Sequence, residues 1–163
     1  MPHGTDPRGS AVLRRASRGF SVKEAAKIAS VPSTSVNFWS GRAKVLTPEV
    51  AYAGRGSRKL FSERNLVQIR LTHLLTQRWI PLKTIRALMR RQMDWFNPRT
   101  DVWGPAELLV CRGNVDWQLH GSGLSAQGQP TVLLKALWHD VEAHEDVLVV
   151  NLAKVKSFIL ERL

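Results

Sequence analysis

The sequence predicts a mainly α-helical fold with a small β component: a winged helix-turn-helix domain over residues 19–93, then a small α+β module over 107–163. Three observations predict it. Apolar residues recur at helical spacing in four short segments between Val22 and Met89, parted by Pro and Gly breaks. A glycine-punctuated basic stretch, Gly54-Arg55-Gly56-Ser57-Arg58-Lys59, falls between the second and third segments. The charge is lopsided. Residues 1–93 carry 18 Lys/Arg against 4 Asp/Glu, a net +14, whereas residues 94–163 carry 6 against 9, a net −3, which makes up the chain's +11. Positive charge confined to one structured region is the electrostatic footprint of a polyanion binder.

Residues 1–18 are rich in Gly, Pro, Arg and Ser and read as a disordered basic tail. Ala11-Val12-Leu13 is too short for the apolar core of a signal peptide. No apolar run approaches a membrane span, so a soluble, cytoplasmic and nucleoid-associated protein with no membrane partner is expected. The lone Cys111 allows no intramolecular disulfide and reads as a small strand residue.

The first helix opens on a capping box. Ser21 can accept from the Glu24 amide, and Glu24 can reach back. Val22, Ala25, Ala26 and Ala29 then form an inner face of small residues, which lets a second helix approach closely. Pro32 disfavours helical geometry at Val31, and Ser33 reads as the next N-cap. The second helix runs from Thr34 to about Ser40, with Val36 and Trp39 facing inward. Two short helices around a tight turn make a helix-turn-helix, whose second helix can enter a DNA major groove. Its outward residues are Ser33, Thr34, Ser35, Asn37 and Phe38. Asn bonds adenine edges, Ser and Thr bond bases or phosphates, and Phe meets a thymine methyl.

Arg42 and Lys44 follow, then Arg55, Arg58 and Lys59 in a loop ending in Leu60-Phe61. This reads as a β-hairpin wing whose glycines allow close backbone approach and whose cations meet phosphates. Ser62-Glu63 opens a third helix with an apolar stripe of Val67, Leu71, Leu74 and Leu75. After the turn Arg78-Trp79-Ile80-Pro81, a fourth helix buries Leu82, Ile85, Leu88 and Met89 and turns Arg86, Arg90 and Arg91 to its polar side.

These residues resemble a known family. Phe20-Ser21-Val22-Lys23-Glu24-Ala25-Ala26 and Val31-Pro32-Ser33-Thr34-Ser35-Val36-Asn37-Phe38-Trp39 resemble the opening of MerR-type transcription factors. Arg58-Lys59-Leu60-Phe61-Ser62 is similar to their wing strand and helix entry, and Trp79-Ile80-Pro81-Leu82-Lys83-Thr84-Ile85 to the turn before their last DNA-domain helix. The resemblance covers about 70 residues, with order and spacing kept. It implies a homodimer that binds operator DNA, the second helix in the major groove and the wing on the backbone. Two positions depart. Asn37-Phe38 stands where the family usually has Arg-Tyr, which removes one phosphate or base contact. Trp79 stands where the family usually has Gly; a left-handed turn would strain Trp, so a different turn is expected there.

Relatives continue into a long coiled-coil helix, but Asp94-Trp95-Phe96-Asn97-Pro98 interrupts it here, and residues 94–106 read as a linker. Glu107 to Cys111 and Val115 to His120 read as strands around Arg112-Gly113-Asn114. A Gly/Ser/Gln-rich loop follows, then a helix carrying Leu133, Leu134, Leu137, Trp138 and Val141. Asp146 to Val150 reads as a strand, and Leu152, Val155, Ile159 and Leu163 as a last helix with Asn151 as its N-cap. The module is near the size limit for an independent core, so it suits dimerisation or partner binding.

His139, Asp140, Glu142, His144 and Glu145 do not have metal-ligand spacing and read as a solvated helix end. Trp95, Trp103, Trp117 and Trp138 read as core rather than an effector pocket. No catalytic grouping, phosphate loop, metal site or cofactor site can be assembled, so no enzyme is expected. The leading reading is a sequence-specific, homodimeric regulator bound to double-stranded DNA. Two others stand beside it: an antitoxin-like adaptor that neutralises a partner protein and autoregulates its operon, and an architectural factor of excisionase or partition type.

The charge distribution yields a first prediction. Affinity for duplex DNA falls steeply between low and physiological salt, as phosphate neutralisation releases counterions. Electrophoretic mobility shifts over that range measure it, and a flat response contradicts groove binding.

Overall fold

The computed structural model describes residues 19–51, 59–91, 96–99, 108–112, 116–120 and 147–163. Helix α1, Val22–Ala29, starts at the expected capping box: the Ser21 hydroxyl accepts from the Glu24 amide, and Glu24 accepts from the Ser21 amide at 2.9 Å. Ala25, Ala26 and Ala29 are buried, and helix α2, Ser33–Ser40, packs close against them through Val36 and Trp39. Ser33 is not the N-cap the sequence suggests. Pro32 holds that position with φ −58° and ψ 134°, and its carbonyl accepts from the Ser35 and Val36 amides at 3.0 and 3.3 Å. Ser33 is thus already helical.

Residues 41–49 return along the end of α2, with the Val45 and Leu46 amides bonded to the Trp39 carbonyl and both side chains buried. Strand β1, Val50–Ala51, pairs antiparallel with β2, Lys59–Leu60, and the next residue, Phe61, forms a bridge with Phe20. Gly19 lets this happen, since a Cβ there would lie 2.8 Å from the Leu60 Cβ.

Helix α3, Glu63–Thr76, is the centre of the molecule. The sequence marks one apolar stripe on it, yet Asn65, Leu66, Val67, Gln68, Ile69, Leu71, Thr72 and Leu75 are all buried, which covers most of its circumference. The cause is that α1, helix α4 (Leu82–Arg91) and helix α5 (Leu152–Leu160) all pack on it. Asn65 is the polar peg of this arrangement. Its carbonyl oxygen accepts from the Ser62 amide and hydroxyl at 3.1 and 3.3 Å; its amide donates to the Thr47 carbonyl at 3.1 Å and to Gln68 at 2.8 Å. One buried side chain thus caps α3 and fixes the chain leading from α2 into the hairpin.

The turn after α3 keeps the left-handed geometry that its tryptophan made unexpected. Trp79 has φ 62°. The Trp79 amide bonds the Thr76 carbonyl and the Ile80 amide bonds the Leu75 carbonyl, at 3.1 and 3.2 Å. Those two bonds, with Ile80 and Leu75 buried together, are a Schellman motif with Trp79 in the usual glycine position. The hydrogen bonds and the Ile80 contact outweigh the steric cost of a Cβ there.

Beyond residue 92 the chain folds back onto this core. Phe96 is fully buried, and the Arg99 guanidinium bonds both carboxylate oxygens of Glu63, one at 2.7 Å, which raises the arginine's pKa. Strands β3 (Leu108–Arg112), β4 (Asp116–His120) and β5 (Val147–Asn151) form an antiparallel sheet in the order β4-β3-β5. β3 and β5 each end one residue later than the hydrophobic runs suggest. Arg112 pairs with Asp116 and so belongs to the strand rather than the turn. Asn151 ends β5 and caps α5, its side chain accepting from the Lys154 amide at 2.9 Å. α5 stops at Leu160, and Leu163 is exposed beyond it. Leu152, Val155 and Ile159 join the same buried cluster as Ala25, Leu66 and Leu71.

Phe158 of α5 is sandwiched between two guanidiniums, Arg70 of α3 at 4.3 Å and Arg162 at 3.5 Å from the ring centre. Burial, then the neighbouring Arg162, lowers the Arg70 pKa; burial, then Arg70, lowers that of His73. Cys111 is buried in β3. The expected helix over 133–141, the acidic and histidine residues at 139–145, and Trp95, Trp103 and Trp138 lie outside the described residues, as does the side chain of Trp117. Among the described residues, no helix is long and apolar enough to cross a membrane.

Asn65→Ala should lower unfolding stability by about 2–3 kcal/mol, because the buried Gln68 side chain and the part-buried Thr47 carbonyl and Ser62 amide all lose a partner. Urea unfolding measures it, and a loss below about 0.5 kcal/mol contradicts the peg role.

Candidate nucleic-acid interface

Helix α2 is amphipathic in an unusual sense: its outer face carries no charge. Val36 and Trp39 anchor the inner side, and Ser33, Thr34, Asn37 and Phe38 are exposed. Thr34, Asn37 and Phe38 stand at i, i+3 and i+4 and share one face. Ser35 is half-buried and sits at the edge of that face. Phe38 is 45% exposed, a large apolar side chain presented to solvent beside amide and hydroxyl groups. These groups donate and accept hydrogen bonds, which is what reading base edges demands.

Cations surround the face. Arg42 and Lys44 are exposed just after α2, and Lys44 is held at φ 48°. The chain there wraps the helix end, with the Gly41 amide on the Asn37 carbonyl and the Ala43 amide on the Phe38 carbonyl. Lys59 is half-buried at the base of the hairpin. Its ammonium donates to the Ser40 hydroxyl at 3.2 Å, and that hydroxyl donates to the Val36 carbonyl at 2.8 Å. The hairpin base is therefore fixed against the last turn of α2. Arg55 and Arg58 lie outside the described residues.

One side of the site escapes sequence reasoning. An open groove between α2 and α4 is lined by Phe38, Arg42, Ala43, Leu82, Lys83 and Arg86. Three of the six are cationic and none is acidic. Arg86 is legible as part of the polar side of α4, but its approach to Phe38 and Arg42 is a tertiary contact across more than 40 residues of chain. The only sequence signal is a lysine and an arginine three apart, hence on one face of α4. Together these groups form a neutral, hydrogen-bonding surface beside a cationic rim. Among the described residues, no group of three His, Cys, Asp or Glu is placed to hold a metal ion.

Lys59→Met keeps the aliphatic stem and removes the ammonium. It should lower stability by about 1 kcal/mol through the lost Ser40 bond. Denaturant unfolding of the full chain tests this, and an unchanged midpoint shows the link to be idle.

The comparison with protein families agrees with this geometry in extent. Residues 20–92 match the model of the MerR HTH family regulatory protein. The match holds α1, α2, the hairpin, α3 and α4, and ends before the three-stranded sheet. No curated protein matches the chain. Residues 20–92, a little under half of the chain, are similar to this family, and DNA binding in transcription regulation is the function that the similarity suggests for this segment.

Proposed function

We propose that this protein is a sequence-specific, homodimeric regulator that binds double-stranded DNA through α2 and the hairpin, the hairpin acting as a wing. The observation that carries the proposal is the uncharged face of Thr34, Asn37 and Phe38 set among Arg42, Lys44, Lys83 and Arg86. α2 enters the major groove by its N-terminal turn. The Asn37 amide reads an adenine edge, Phe38 packs on a thymine methyl, and Ser33, Thr34 and Ser35 bond phosphates or base edges. Arg42, Lys44, Arg55, Arg58 and Lys59 grip the backbone and supply affinity without sequence preference. Lys59 has a second task, since its bond to Ser40 sets the angle between wing and helix.

The part beyond residue 94 forms the dimer and so sets the half-site spacing, about 34 Å for one turn of duplex. Val149, Leu160 and Leu163 support this, being apolar and exposed on β5 and at the end of α5.

Asn37→Ala should cost about tenfold in affinity for a site selected from a random duplex library, and far less on random-sequence duplex. Fluorescence anisotropy on both duplexes measures the difference. Equal losses on the two remove Asn37 from base readout.

A further inference from the structure

The α3–α4 turn holds a residue whose side chain the fold does not use. Trp79 is 92% exposed, so its indole buries almost nothing within the chain. It also sits at φ 62°, in the Schellman position that glycine fills without steric cost. Strain combined with exposure is unfavourable for the isolated protein, and outliers of this kind gather where a partner is held. Chain geometry places the residue. Leu82 lines the cationic groove and lies three residues on, so the two Cα atoms are at most about 11 Å apart. Arg78, Lys83 and Arg86 are all within seven residues of Trp79, and Arg42 faces the last two across the groove. The turn that presents the indole therefore adjoins, along the chain, a groove whose charged residues are all cationic.

Resting on the DNA-binding reading above, we propose that Trp79 is a DNA-contacting residue at the flank of the footprint. Its ring packs on a deoxyribose of the strand gripped by Arg42, Lys83 and Arg86, and its indole N–H donates to the adjoining phosphate. An indole suits this boundary, since it is apolar along its body and a hydrogen-bond donor at one edge. Sugar and phosphate are the same at every base pair, so the contact adds affinity without sequence preference. Trp79 is uncharged and releases no counterion, so it leaves the salt dependence untouched.

The full-length chain is titrated with a fluorescein-labelled random-sequence duplex by anisotropy, across a salt series. Trp79→Gly should weaken binding about tenfold, with an unchanged salt slope and an unchanged or higher Tm, because glycine relieves the strain. Trp79→Asn, which tolerates the left-handed region, should lose as much. Trp79→Phe keeps a ring and should retain most of the affinity. Arg86→Ala, in contrast, should flatten the salt slope by about one phosphate contact. Glycine and asparagine variants that bind within twofold of wild type overturn the inference. So does an unchanged DNA affinity with an altered oligomeric state, which assigns the indole to a protein contact. A wild-type chain without affinity for the duplex sinks the DNA reading itself, and the inference with it.

Discussion

The constraint on which the structure depends is the burial of α3 on nearly every side. A 14-residue helix with eight buried positions cannot be covered by the helix-turn-helix alone. α1 covers one flank, α4 another, and α5, from the far end of the chain, a third. Among the described residues, the buried polar side chains of α3 itself are Asn65, Gln68 and Thr72. Asn65 ties the shell together, because its hydrogen bonds reach the cap of its own helix and the strand-ward chain after α2. A buried amide with its partners in place specifies one arrangement of these segments, since any other leaves polar groups unpaired. The placement of the chain that leaves α2 thus depends on a residue of α3, through the Thr47 bond.

The C-terminal part is structurally continuous with this core. α5 buries Leu152, Val155 and Ile159 in the same cluster as the N-terminal helices, and Phe96 and Arg99 pin the intervening chain to α3. Charge divides the chain more sharply than packing does. The residues beyond 94 are mildly acidic and buttress a strongly basic remainder. A surface built this way separates two tasks. In the DNA-binding reading proposed above, the long-range field and the phosphate contacts deliver affinity, and a few neutral side chains on α2 deliver choice.

Local chemistry was legible in the sequence and tertiary placement was not. The boxes at Ser21-Glu24 and the cap at Asn151 are recognisable because both partners lie within one turn. The antiparallel pairing of Val50–Ala51 with Lys59–Leu60 falls at the two ends of the glycine-punctuated stretch, whose glycines and Arg55 and Arg58 lie outside the described residues. Ser33 misleads because a serine before an apolar run looks like a cap, whereas the Pro32 carbonyl had already begun the helix. Trp79 misleads in the opposite direction: residue identity argues against a left-handed turn, but two backbone bonds and the buried Ile80 enforce it. The full burial of α3 cannot be read from its own periodicity, since its covering helices come from three separate places in the chain. The groove joining Phe38 and Arg42 to Lys83 and Arg86 is hidden for the same reason.

The central claim is that the outer face of α2 and the groove beside it are where this protein meets duplex DNA. The most direct measurement is an amide chemical-shift titration of the full chain with a short duplex. The account predicts the largest changes at Thr34, Asn37, Phe38, Arg42, Lys83 and Arg86, with α5 and the three-stranded sheet little affected. Changes centred on α5 or the sheet, with α2 unmoved, would contradict it.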